Sequence, residues 1–125
     1  MKLFSGVDLI EIVRLQDAVD LHGERFLQRI FTPRELQENV RKVESLAGRF
    51  AAKEAVAKAF GSGIGDVSWK EIEILRADSG QPLLILHGAA AVKSSDLKVT
   101  SWSISISHTR EHAVAFVVGI STGLD

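Results

Sequence analysis

The stretch from Arg49 to Ile64 constrains this chain more than any other, because it is an alanine-rich run with almost no polar face. Alanine has the highest helix propensity, no proline interrupts the run, and Gly61 stands where helices commonly stop, so a helix ending near Gly61 is predicted. At about 100° per residue, Leu46, Phe50, Ala57 and Phe60 share one side, and Gly48, Ala51, Ala52, Ala55 and Ala59 share another. The large side chains can fill a core, and the small ones let another element approach closely. Most of the circumference is therefore expected to be buried. Four charged side chains remain, Glu54 and Lys58 in one gap and Arg49 and Lys53 in the other. One reading makes them i,i+4 pairs on a solvated edge, with Glu54 and Lys58 adding a few tenths of a kcal/mol. The lack of a real polar face shifts the balance toward charges held against something specific.

A chain of 125 residues is expected to form one domain, residues 1–125, with a genuine core. A formal charge of -1 argues against nucleic-acid binding driven by bulk electrostatics. The chain has no cysteine, which excludes disulfides and cysteine-based zinc sites. The N-terminus does not read as a signal peptide, and the apolar run Ala113 to Val118 is far short of the ~20 residues of a membrane span, so no membrane association and a cytoplasmic location are expected. Charge is uneven, however. Arg25, Arg29, Arg34, Arg41 and Lys42 outweigh Glu35 and Glu38 by three between Arg25 and Lys42. A solvated helical surface or an acidic protein partner would each account for this.

Taken in order, Leu3 to Leu9 reads as a strand and Glu11 to Asp20 as a short helix with Ile12, Leu15 and Val19 on its apolar side. Asp8 falls at the handover, where a helix N-cap is the simpler role and a metal ligand the sharper one. Gly23 interrupts, and Glu24 to Ile30 reads as a second helical piece. Thr32-Pro-Arg-Glu35 is a capping box with proline at the first helical position, predicting a helix toward Val43 and making Glu35 a capping residue with no assigned chemistry. The segment Gly61-Ser-Gly-Ile-Gly65 is neither a Walker motif nor a dinucleotide fingerprint and reads as a flexible connection. Trp69 to Arg76 and Leu83 to Leu86 form a predicted hairpin around Asp78-Ser-Gly-Gln-Pro82. A short helix over Gly88 to Ser95 follows. Thr100 to Ser107 and Ala113 to Ile120 both alternate with period two and are expected to pair, with His108 at the strand end beside the turn. The neutral face of Ser101, Ser103, Ser105 and Ser107 suits a subunit interface better than solvent. The tail Ser121 to Asp125 is expected to fray.

The chemistry available from residue types alone is two carboxylates, Asp8 and Glu54, with Lys58 one turn beyond Glu54 and His108 at a strand tip. No nucleophile elbow is present, and no His-x-x-x-His spacing supports a zinc site. Two carboxylates and a lysine suit magnesium, which takes one or two carboxylates and completes its shell with water and substrate phosphates. That is equipment for phosphoryl transfer. A magnesium-dependent phosphohydrolase could use the same groups, and a small binding module could use the glycine loop and basic patch without catalysis.

Arg49-Phe-Ala-Ala-Lys-Glu-Ala followed by Lys58-Ala-Phe-Gly-Ser-Gly-Ile resembles the signature of the bacterial holo-[acyl-carrier-protein] synthases, which are 4′-phosphopantetheinyl transferases. Gly6-Val-Asp-Leu-Ile-Glu-Ile-Val-Arg14, Phe31-Thr-Pro-Arg-Glu35, Gly80-Gln-Pro82 and Ser103-Ile-Ser-Ile-Ser-His-Thr109 match the family in the same order. The resemblance runs nearly end to end. It implies an α+β fold, a small single domain with an antiparallel sheet packed against a long central helix. It implies transfer of 4′-phosphopantetheine from coenzyme A to a serine of apo acyl carrier protein in fatty acid biosynthesis, releasing 3′,5′-ADP.

The resemblance also implies roles for residues. Asp8 and Glu54 would hold magnesium against the coenzyme A pyrophosphate, and Lys58 would neutralise charge as the bond to the nucleotide breaks. Arg49 and the tip Ser107, His108 and Thr109 would bind the nucleotide phosphates, with Gln81 and Pro82 reaching the nucleotide from an adjacent subunit. Glu54, directly or through a water, is the suggested proton acceptor for the serine, although a metal-bound carboxylate is a weak base and His108 competes for the role. Arg14, Arg25 and Arg29 would face the acidic helix of the carrier protein. The chain is near half the length of the two-domain transferases of this superfamily, and the members it resembles form homotrimers with sites between subunits.

Overall fold

The computed structural model of the protein describes residues 1–40, 42–61 and 63–122. In chain order it contains β1 (Lys2–Glu11), α1 (Ile12–His22), α2 (Glu24–Ile30), α3 (Pro33–Glu38), α4 (Val43–Ala59), a 3-10 turn (Trp69–Glu71), β2 (Ile72–Arg76), β3 (Pro82–Leu86), α5 (Gly88–Asp96), β4 (Val99–His108) and β5 (His112–Ser121). One antiparallel sheet has the order β1-β5-β4, and β2 and β3 form a separate hairpin. The architecture is α+β, with antiparallel sheet packed against a long central helix. Among the described residues no helix is long and apolar enough to cross a membrane.

The alanine-rich helix is buried almost all round, as its composition predicts. Ala51, Ala52, Ala55, Val56 and Ala57 are completely inaccessible. Its small-residue arc meets an equally small surface. The inward face of β5 is Ala113, Ala115 and Val117, all fully buried, while Phe116 on the alternate face stands exposed. The alternation on β5 is therefore real, but its bulky set points away from α4, because two small-residue surfaces pack at closer range than one lined with phenylalanine could allow. On β1, Gly6 passes directly over the helix backbone: a Cβ there would sit 1.9 Å from the Ala55 carbonyl oxygen. Only glycine permits that approach. Around this centre, Leu46, Ile72, Ile74 and Phe31 are fully buried or nearly so, each worth about 2 kcal/mol of transfer free energy.

Three expectations are corrected. The helix opening at Pro33 does not run to Val43 but ends at Glu38. The Asn39 side chain donates to the Glu35 carbonyl at 2.7 Å, and Val40 turns the chain in the left-handed region at φ 50°, so α4 starts afresh at Val43. Trp69 to Glu71 is not strand but a single 3-10 turn, held by a capping box in which the Ser68 amide donates to Glu71 Oε1 at 2.7 Å. Trp69 stacks on Phe50 of α4 with ring centroids 4.9 Å apart. Ser121 is not frayed: it closes β5 and is buried, whereas residues 123–125 of the expected tail lie outside the described residues.

The solvated-edge reading of Arg49 and Lys53 also fails, since both are buried. Lys53 Nζ donates to Glu35 Oε1 at 2.8 Å and to the carbonyls of Trp69 and Ile72 at 2.9 and 2.6 Å. Burial lowers the pKa of Lys53, and the Glu35 carboxylate opposes that effect. Glu35 completes the predicted capping box with Thr32 and also accepts from the Ile74 amide at 2.9 Å. Thr32 Oγ1 in turn donates to Glu73, whose other oxygen lies 3.0 Å from His87 Nε2. Burial pushes Glu73 up, but the hydrogen bonds from Thr32 and His87 outweigh it and hold the carboxyl below its ordinary value. α3, β2 and α4 are thus tied through one polar network inside the core.

Candidate active site

Asp8 lies inside β1, paired in register with Ala115, and the strand continues three residues beyond it. It does not cap α1. That position belongs to Glu11, which makes no side-chain cap bond. Asp8 instead meets α4: Lys58 Nζ donates to Asp8 Oδ1 at 3.0 Å and to the Val7 carbonyl at 3.1 Å. The lysine therefore reaches across to the strand and joins the two elements. Asp8 and Glu54 both line a cavity of about 380 Å³ whose other walls include Ile10, Arg14, Leu15 and Phe50. The close approach of Gly6 to Ala55 allows this meeting of residues that the sequence separates widely.

Burial raises the pKa of Glu54 and the Asp8 charge raises it further, while Lys58 opposes both. An acid whose folded pKa stands above its unfolded value is disfavoured in its charged form by folding, so it costs stability once the pH exceeds the unfolded pKa. Glu54→Gln is accordingly expected to raise the urea midpoint at about pH 7, and to lose that advantage as the pH falls below about 4, where the carboxyl becomes protonated in both states. An unchanged or lower midpoint at neutral pH would contradict this electrostatic description. Functional groups that strain their surroundings commonly show such a trade.

The remaining sequence-predicted residues are distributed as follows. Arg14 is on the rim of the Asp8 cavity, exposed, with Nε 3.3 Å from Glu11 Oε1. Arg25 and Arg29 flank a smaller cleft of about 130 Å³ beside Phe26, which lines both cavities. The three arginines therefore border one continuous surface. Arg49 is not in this cavity. Burial lowers its pKa, as does Arg76, against the raising effects of Glu38 and Glu35, and its buried Nε has no hydrogen-bond partner among the described residues. Ser107 and His108 are exposed at the end of β4, and the following Thr109 Oγ1 accepts from the His112 amide at 3.1 Å. Gln81 and Pro82 sit where the β2–β3 turn enters β3, with the Gln81 carbonyl accepting from Ala77 at 2.8 Å. None of these five lines the Asp8 cavity of the same chain.

A larger cavity of about 500 Å³, lined by Gln28, Phe31, Pro33, Leu36, Gln37 and Lys70, contains no carboxylate and so cannot do the chemistry proposed for Asp8 and Glu54. Sequence reasoning missed Phe26 and Phe50 as walls of the site. The signal for Phe50 was its place one turn before Glu54. It also missed the buried partnership of Lys53 and Glu35, for which no local signal existed.

The fold that carries this arrangement recurs in known proteins. Residues 5–117 match the family model described as the 4′-phosphopantetheinyl transferase superfamily. The holo-[acyl-carrier-protein] synthase of Herpetosiphon aurantiacus is 47% identical over 125 residues, covering 94% of this chain and 98% of that one. Among solved structures, the holo-[acyl-carrier-protein] synthase of Neisseria meningitidis superimposes with a TM-score of 0.86 at 35% identity, covering 94% of this chain and 98% of that one. The Helicobacter pylori enzyme in complex with coenzyme A gives 0.85 at 35% identity, covering 93% and 99%. With its fold and nearly its full length accounted for in this way, the chain belongs to the 4′-phosphopantetheinyl transferase superfamily.

Proposed function

We propose that this protein is a holo-[acyl-carrier-protein] synthase, residues 1–125 acting as one domain that moves 4′-phosphopantetheine from coenzyme A to a serine of apo acyl carrier protein. The observation that carries the reading is the convergence of Asp8 and Glu54 in one cavity with Arg14 at its rim, and the bond from Lys58 to Asp8. The donor set fits magnesium. Two carboxylates against one lysine leave net negative charge, and no cluster of three or more His, Cys, Asp or Glu side chains capable of holding a metal occurs among the described residues. A cation here would draw the rest of its shell from water and substrate phosphates, as magnesium does. Asp8 and Glu54 would hold it, and it would supply positive charge to the pyrophosphate oxygens.

The other steps belong to the chain. Lys58, half-exposed and paired with Asp8, stabilises charge on the pyrophosphate as the phosphorus–oxygen bond to 3′,5′-ADP breaks and the serine oxygen bonds to the same phosphorus. Glu54, with its raised pKa, takes the serine proton directly or through a water. His108 lies outside the cavity and is the weaker candidate for this step. Arg49, Ser107, His108, Thr109, Gln81 and Pro82 are assigned to the nucleotide. Those at the hairpin tips sit apart from their own chain's cavity, which favours a site completed by a neighbouring subunit.

The sheet supports such an assembly. Its outward face carries Leu3, Val7 and Leu9 on β1 and Phe116 on β5, beside the exposed Ser101, Ser103, Ser105 and Ser107 on β4. A contiguous neutral and apolar face of this kind marks an interface. Light scattering at micromolar concentration is expected to give a homotrimer, and a monomer alone would contradict it. The reading places the enzyme in the cytoplasm, supplying carrier protein for fatty acid biosynthesis, without nucleic-acid or membrane partners.

Arg14, Arg25 and Arg29 are assigned to the acidic carrier. Arg14→Glu is expected to raise KM for the carrier on the order of tenfold at low salt, with KM for coenzyme A nearly unchanged and the effect shrinking as salt is added. Equal losses for both substrates would contradict the assignment. The function itself is tested by incubating the protein with coenzyme A, magnesium and apo carrier and weighing the carrier. A gain of one phosphopantetheine is expected, and an unmodified carrier would overturn the proposal.

A further inference from the structure

The methyl surface of α4 that faces β1 and β5 does little to specify where the helix sits along its own axis, and the Lys58 bonds to β1 are exposed to solvent. A slide of one turn, about 5.4 Å, carries Ala51 toward the place of Ala55 and Ala55 toward that of Ala59, so the methyl surface nearly reproduces itself. Gly6 sets how closely β1 approaches, but it does so against backbone, which repeats at every residue. Lys53 does not repeat. Its ammonium is fully buried, and its three N–H donors have three acceptors, Glu35 Oε1 and the carbonyls of Trp69 and Ile72. Glu35 is equally constrained by the amides of Thr32 and Ile74. Any slide of α4 would strand both charges in a closed core, at the heavy cost of an unpaired buried ion.

Glu54 is the next residue along, about 100° round the helix on the side of Asp8. Resting on the functional reading above, we propose that the buried Lys53–Glu35 pair is the positioning element that sets the axial register of α4, and that it thereby holds Glu54 and Lys58 opposite Asp8. Lys53 touches no substrate. It acts through the helix.

The test compares wild type, Lys53→Met and Glu35→Gln in transfer assays and in direct manganese binding followed by electron paramagnetic resonance, with circular dichroism giving the folded fraction at the assay temperature. Wild type is measured first, and its failure to modify carrier would overturn the functional reading and not this one. With a working wild type, a folded variant is expected to lose about a hundredfold in kcat and to bind manganese at least about tenfold more weakly, with KM for coenzyme A within about threefold. Glu35→Gln keeps the volume and leaves Lys53 its two carbonyl acceptors, so it carries the test if Lys53→Met does not fold. A folded variant with wild-type kcat and manganese affinity overturns the proposal. So does a loss of activity that merely tracks the unfolded fraction, or failure of both variants to fold, either of which assigns the pair to stability alone.

Discussion

Asp8→Asn is expected to lower kcat by about 10²- to 10³-fold while changing fold stability by no more than about 1 kcal/mol. Asparagine has the same shape and can still accept from Lys58, so only the charge is lost. Because Asp8 sits within β1 and caps nothing, the substitution removes no helix terminus interaction. Its charge, together with that of Glu54, is the basis on which a cation is proposed for the cavity. Asp8→Ala, Glu54→Ala and the double variant should fall to similar rates, since groups that serve one ion as a unit are non-additive. Steady-state rates over a magnesium series, beside urea melts of the same proteins, check both halves. An Asp8→Asn enzyme that turns over normally at low magnesium would remove the basis for the metal site.

The largest effect on stability is expected from Gly6→Ala, about 3 kcal/mol or more. The new Cβ would meet the Ala55 carbonyl oxygen at 1.9 Å, its carbon at 2.9 Å and the Ala59 amide nitrogen at 3.0 Å. All three are backbone atoms of α4, and none can rotate aside. β1 must lift from the helix, and Asp8, two residues along, must move with it. Gly48→Ala is the contrasting case in degree, because its Cβ would meet only a side-chain methyl, Ile106 Cγ2 at 2.8 Å, which must shift about a stiff χ1 but leaves the backbone free of any clash. Urea denaturation of both variants should show a large fall in midpoint for Gly6→Ala and a smaller one for Gly48→Ala. Equal midpoints would contradict the close packing of β1 on α4.

The parts of this account that the sequence carried are those whose signals are local. The alanine run, the capping box at Thr32 and Glu35, the break at Gly23 and the alternation of the last two strands each depend on neighbours in the chain, and each element is found. The candidate site was read mainly from the family resemblance that five motifs in order carry. What local pattern could not reveal was set by tertiary packing. A helix cap stood as the simpler of two readings of Asp8, beside a metal ligand, because nothing marks where β1 ends, whereas its pairing with β5 carries the strand on to Glu11. The missing polar face of α4 hinted that Lys53 is held against something specific, but its partners are distant in sequence, Glu35 18 residues away and Ile72 19, and no local pattern names them. The two faces of β5 were distinguishable by size, but only the narrow space beside α4 decides that the small one is inside.

The most direct measurement of the central claim is a balance of products. Protein, magnesium, coenzyme A and apo carrier are combined, and released 3′,5′-ADP is counted against phosphopantetheinylated carrier. The proposal requires one nucleotide for each modified carrier, no nucleotide when the acceptor serine of the carrier is replaced by alanine, and loss of both products in Asp8→Asn. Nucleotide released without modified carrier would identify a phosphohydrolase, and binding without either product would identify a non-catalytic module; each would contradict the account.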